Sequence, residues 1–103
     1  MIPELLETAT VYADAVTHEA RLRMQRDDTE STIAASLLGQ PNPATNKPHS
    51  ASSAAEAAKA TPEVLALREQ IIEAERRVIL TRARYECARL SAWAVVRLPE
   101  VVP

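Results

Sequence analysis

GQPNPATNKPHSASS, residues 39–53, is the stretch that decides the fold. Pro41, Pro43 and Pro48 cannot continue a helix, and the small polar residues around them offer nothing to bury. Gly39 directly follows Leu37 and Leu38, where a helix is expected to end on a left-handed residue. Downstream, Ser53 and Glu56 have capping-box spacing and can start an Ala-rich turn or two. A stronger start follows at Thr61-Pro62-Glu63: a hydroxyl N-cap, proline at the first helical position and an acid in the first turn. Residues 39–61 therefore read as a polar joint between two arms.

Arm two runs from about residue 62 to 98 and is stopped by Pro99. Val64, Leu67, Ile71, Ala74, Val78, Tyr85, Ala88, Ala92 and Val95 recur at alternating steps of three and four, with one break at Thr81. That spacing is the signature of a helix-packing seam. A flanking row of Leu65, Ile72, Ile79 and Trp93 widens it, and from Tyr85 onward the helix is apolar around most of its circumference. Arm one, about residues 3–38, shows Leu5, Ala9, Tyr12, Val16 and Ala20 at steps of three or four, then Met24. The polar run Arg26-Asp27-Asp28-Thr29-Glu30-Ser31-Thr32 interrupts the pattern; the preferred reading is a continuous helix with that patch facing solvent.

Two arms of similar length flanking a joint predict an all-α chain: one antiparallel coiled-coil hairpin domain over residues 1–103, in which paired residue numbers sum to roughly 100. The register sets Glu4 and Glu7 near Arg97, Asp14 near Arg84 or Arg89, and Asp28 near Arg76. A hairpin this rich in alanine buries little surface alone, so a homodimer forming a four-helix bundle is expected. Tyr85, Leu90, Trp93 and Val96 are the candidate oligomer interface.

Composition agrees with helix. Ala, Leu, Arg, Glu and Gln dominate, residues that lose least on entering a helix. There is one glycine, no phenylalanine and no Asn-Gly or Gly-Gly pair for a tight hairpin. The net charge of −2 gives no general attraction to nucleic acid or anionic membranes. No stretch approaches the roughly 20 apolar residues that span a bilayer. The lone Cys87 favours a reducing compartment, and acids occupy the N-terminus where a signal peptide carries bases, so a cytoplasmic location is expected.

The chemistry-bearing residues do not assemble into a motif. His18-Glu19-Ala20-Arg21-Leu22 begins like a zinc-protease helix, but Leu22 stands where the second histidine belongs. His49 reads as a solvated joint residue and Cys87 as a small packing residue. No glycine-rich phosphate loop, cysteine pair or nucleophile elbow is present, and neither an enzyme nor a cofactor is expected. The arginines carry the open question. Arg76, Arg77, Arg82, Arg84, Arg89 and Arg97 read as sharing the side of arm two away from its seam, with no acid among them. Such a stripe either balances acids from arm one or a second chain, the favoured reading, or grips phosphates.

Tyr12-Ala13, an arginine-rich amphipathic stretch, the polar joint, Glu56-Ala57-Ala58-Lys59-Ala60-Thr61-Pro62-Glu63 and a long helix with Ala74-Glu75 and Trp93 form an arrangement over about two-thirds of the chain. It resembles a group of small coiled-coil proteins of phage and prophage genomes, some lying among recombination and replication genes. The resemblance implies an accessory protein and assigns no activity to named residues. The function expected is that of a non-enzymatic helical interaction protein binding a second copy and an unidentified protein partner. The alternatives are nucleic-acid binding through the arginine stripe and a structural assembly component.

Overall fold

A computed structural model describes the backbone of residues 2–97 and the side chains of residues 3–94, and within them the chain is all-α. α1 spans Ile2–Leu37, α2 Ala51–Lys59 and α3 Pro62–Arg97. No strand occurs among the described residues; an isolated antiparallel bridge joins Pro41 and Pro48. α1 lies within one residue of the expected first arm at each end, α3 starts at Pro62 as expected, and α1 is continuous through Asp27–Thr32. Val95, Val96 and Arg97 are helical, but their side chains, like the expected stop at Leu98 and Pro99, lie outside the described residues.

The joint is ordered, contrary to its composition. Gly39 takes φ +82°, closing α1 as its position demands. Gln40 then satisfies two of the helix's last carbonyls, its backbone N–H donating to Leu37 O at 2.9 Å and its side chain to Ser36 O at 2.6 Å. Gly39 N donates to His49 O at 3.2 Å, and His49 N donates back to Gln40 O at 2.8 Å. Inside this clasp Asn42 N donates to Lys47 O at 2.8 Å, while Asn46 turns the chain at φ +58°. Asn tolerates that left-handed conformation better than most residues, which explains its place there.

Two caps differ from expectation. Ser50, not Ser53, opens α2: its hydroxyl accepts from Ser53 N, and Ser53 Oγ accepts from Ser50 N at 2.9 Å. Serine thus takes the third-position role usually given to Glu. Thr61 does not cap α3 with its hydroxyl, which donates instead to Ala58 O at 2.7 Å. It therefore closes α2, and Pro62 and Glu63 alone favour the start of α3.

Packing divides into two compact units. One is Ala20–Ile72; the other joins the chain up to Glu19 with the chain from Glu73 onward. In the first, Leu22, Ala54, Ala58, Val64, Leu67 and Ile71 are buried. Ala54 and Ala58 lie one turn apart, so a helix with no larger inward side chain can approach its neighbours closely. Val64 is fully buried, and a side chain of that size contributes about 1.5–3 kcal/mol when removed from water. Glu30 reaches Arg68 across 4.0 Å.

In the other unit Ala15, Ala74 and Thr81 are buried, and the rings of Tyr12 and Tyr85 stack with centroids 5.8 Å apart. Thr81 fills the gap in the seam of α3. Its hydroxyl turns back onto Arg77 O at 2.7 Å and Val78 O at 3.2 Å, so the methyl faces inward with no polar atom left unbonded.

The seam of α1 departs from the sequence reading after Tyr12. Ala15 and Leu22 are the buried residues, with Thr8 and Thr29 half-buried on the same row and Glu19 and Arg26 half-buried on the adjacent one. Val16, Ala20 and Met24, which the apolar spacing favours, are exposed. The polar residues on the inward row hide it from a hydrophobicity pattern. Thr8 shows how one is accommodated: its hydroxyl donates to Glu4 O at 3.0 Å.

Candidate functional site

The face of α3 turned away from its seam carries Arg76, Leu90 and Trp93 of the residues singled out above. In a heptad-spaced helix, residues seven apart share a row and residues three or four apart sit on adjacent rows. Glu73, Leu80 and Cys87 form one outward row, Arg76, Ala83 and Leu90 the next, and Ile79, Glu86 and Trp93 the third. All of these belong to the unit that begins at Glu73.

Three large apolar residues on two adjacent rows remain in contact with water: Ile79 is 68% exposed, Leu90 60% and Trp93 58%. Arg89, Leu90 and Trp93 line a shallow groove there. Of the candidate interface, Leu90 and Trp93 are thus presented outward. Tyr85 instead is half-buried against Tyr12, facing its own chain. The side chain of Val96 lies outside the described residues. Ile79, assigned by its spacing to a widened seam, is an outward residue.

The arginines do not form one stripe. Arg77 and Arg84 share a row on one flank of the seam, Arg82 and Arg89 share the opposite flank, and Arg76 lies on the outer face. Acids do stand among them. Arg89 Nη2 meets Glu86 Oε2 at 2.7 Å, and Arg76 Nη1 meets Glu73 Oε1 at 3.9 Å, each pair three residues apart on α3. The helix supplies these counter-charges from its own preceding turn. No ion pair of Arg77, Arg82 or Arg84 is found among the described residues, and the side chain of Arg97 is outside them. Arg77 and Arg84 border a groove with Glu73 and Leu80, while Glu7, Thr8 and Val11 line another with Arg84. With acids in both grooves, neither is a uniformly cationic track.

The remaining reactive side chains are dispersed. His18 is exposed and Leu22, in the place of a second ligand, is buried. His49 is 8% exposed rather than solvated, because the clasp folds its ring inward and its Nδ1 lies 3.0 Å from Ser53 Oγ. Cys87 is exposed, not packed: its row is one of the outward ones. No group of three or more His, Cys, Asp or Glu is arranged to hold a metal ion among the described residues. No helix among them is long and apolar enough to cross a membrane.

The signal that sequence reasoning missed is the pairing of rows. Ile79, Ala83, Glu86, Leu90 and Trp93 follow the three-four steps of a second seam, interrupted only by Glu86. No family model, curated protein or solved structure matches the chain.

Proposed function

We propose that the protein is a non-catalytic helical interaction module, an antiparallel hairpin that pairs with a second copy and acts by binding another protein. The observation that carries this reading is the exposed apolar face of α3 around Ile79, Leu90 and Trp93. Large apolar residues scattered singly on a surface need no explanation, but a cluster on adjacent helical rows marks an interaction surface. Antiparallel pairing of the arms is supported by two contacts: Tyr12 with Tyr85 in one unit and Glu30 with Arg68 in the other, numbers that sum to 97 and 98. The resemblance to phage accessory proteins points to a partner in DNA recombination or replication.

Nucleic-acid binding is the second reading, and Arg77, Arg82 and Arg84 favour it by lacking ion pairs among the described residues. Their division between opposite flanks of α3 ranks it below protein binding. A phosphate backbone needs cations along one path.

Site-specific photo-crosslinking in living cells tests the module. A photoreactive residue at position 79, 90 or 93 should capture a protein, and one at the exposed position 70 should not. Equal or absent capture at all four positions overturns the reading. Capture of nucleic acid instead promotes the second one.

A further inference from the structure

The outer face of α3 is complementary to itself. Placed antiparallel against a copy with Glu86 opposite Glu86, the three-four steps bring Ile79 against Trp93 and Ala83 against Leu90, then repeat both layers in reverse. Each layer joins a smaller residue to a larger one, the alternation by which facing helices interdigitate. A two-fold contact requires this reciprocity, in which one residue meets another and is met by it in return. We propose that Ile79, Ala83, Glu86, Leu90 and Trp93 form the surface through which α3 docks antiparallel on α3 of a second copy, about a two-fold axis at Glu86. The proposal rests on the self-association in the reading above and deepens it by naming the face and the register.

Charge supports the same arrangement. Glu86 is the sole charged member of the seam, and its Oε2 already meets Arg89 at 2.7 Å. In the paired helices Arg89 of each copy stands within one turn of the other copy's Glu86. The two carboxylates and two guanidinium groups then close a ring of alternating charge. Arg82, one turn before Glu86 on the same flank, adds a further cation, so the carboxylate is the scarcer partner. One polar residue in an otherwise apolar seam is the device by which helical pairs select register and orientation.

The area is adequate. The exposed fractions of Ile79, Leu90 and Trp93 amount to about 400 Å² of apolar surface per copy; with Glu86 and Arg89 the pair buries about 1,000 Å², the lower edge of specific interfaces. Association in the micromolar range suits that size.

The test uses the full chain in a Cys87→Ser background. Ala83→Cys and Leu90→Cys chains, mixed under mild oxidation, should form the crosslink between unlike chains in excess over either self-crosslink. Predominant self-crosslinking would show a parallel pairing and overturn the proposal, as would a wild type sedimenting as a monomer at high concentration. A dimer that yields no crosslink at these positions would equally overturn it, placing the contact on another face. A second arm avoids cysteine: Glu86→Arg and Arg89→Glu should each weaken self-association by about tenfold, and mixing them should restore it. Arg89 is exposed and Glu86 half-buried, so a circular dichroism spectrum unchanged from wild type separates lost pairing from lost folding. If pairing fails while positions 79, 90 and 93 still capture a different protein, only the self-docking is wrong and the interaction module stands.

Discussion

Thr81→Val is the sharpest probe of how the seam of α3 is built. Thr81 is 2% exposed, and its hydroxyl donates to Arg77 O and Val78 O. Those carbonyls belong to the interior of a continuous helix, where the backbone ladder already supplies each with a partner. Removing the hydroxyl therefore strands no buried acceptor, and the cost that usually attends a deleted hydrogen bond does not arise. Back-bonding of this kind slightly destabilises and bends helices, so its loss is favourable. The added methyl is buried, and a buried CH₂ is worth about 0.8 kcal/mol. The sum is a stabilisation of about 0.5–1 kcal/mol, which raises the melting temperature of a domain this size by about 2–8 °C. Thr81→Ser, which keeps the hydroxyl and loses the methyl, should lower it. Thermal melts by circular dichroism and urea titrations on the three proteins check both signs. A valine variant less stable than wild type by 1 kcal/mol or more, with serine as stable as threonine, would refute the argument that the methyl fills the seam.

Ile71 and Ile72 are adjacent in sequence but 3% and 63% exposed. Ile71→Ala should cost about 2–4 kcal/mol, whereas Ile72→Ala should stay within about 0.5 kcal/mol; equal losses in urea melts would contradict the seam. Ser50→Ala removes the side-chain half of the α2 capping box, leaving the bond from the backbone N–H of residue 50 to Ser53 Oγ, and should cost about 1 kcal/mol; faster amide exchange confined to α2 is the signature to look for. Arg82→Gln with Arg89→Gln should leave any weak retention of labelled DNA or RNA near physiological salt unchanged. Tight wild-type binding abolished by this pair, with a salt slope smaller by about one per lost contact, would favour the nucleic-acid reading.

The helical arms were legible because punctuation and propensity agree. Gly39, the prolines of the joint and Thr61-Pro62 mark the ends, and the residues between them lose little on entering a helix. The inward face of α3 was legible for the same reason, since Val64, Leu67, Ile71 and Ala74 are both apolar and buried. The inward face of α1 was not. Thr8, Glu19 and Arg26 occupy half-buried positions on it while Val16 and Met24 face water, so counting apolar residues selects the wrong row. A threonine hydroxyl can be satisfied by the preceding turn, and a long charged side chain can cover apolar surface with its stem while its head stays wet. Neither ability appears in a hydrophobicity pattern.

The arginine face was misread through a related limit. The numbers of the arginines conceal that Arg77 and Arg84 fall on one flank and Arg82 and Arg89 on the other, and that Glu73 and Glu86 stand one turn before Arg76 and Arg89. The order of the joint lay hidden as well, because its hydrogen bonds are mostly between backbone groups whose partners depend on the path of the chain rather than on side-chain type.

That path suits the joint to carry an insertion. Gly39 and Gln40 are held to His49 by two backbone hydrogen bonds, and Asn42 to Lys47 by another, while Pro43, Ala44 and Thr45 at the tip are exposed. The ends of the excursion are thus fixed independently of its length. Doubling a flexible loop whose ends are already pinned costs only about 0.6 kcal/mol in closure entropy. An epitope, a fluorophore-binding peptide or a protease site placed between Ala44 and Thr45 would therefore report on the protein without disturbing the clasp that closes α1.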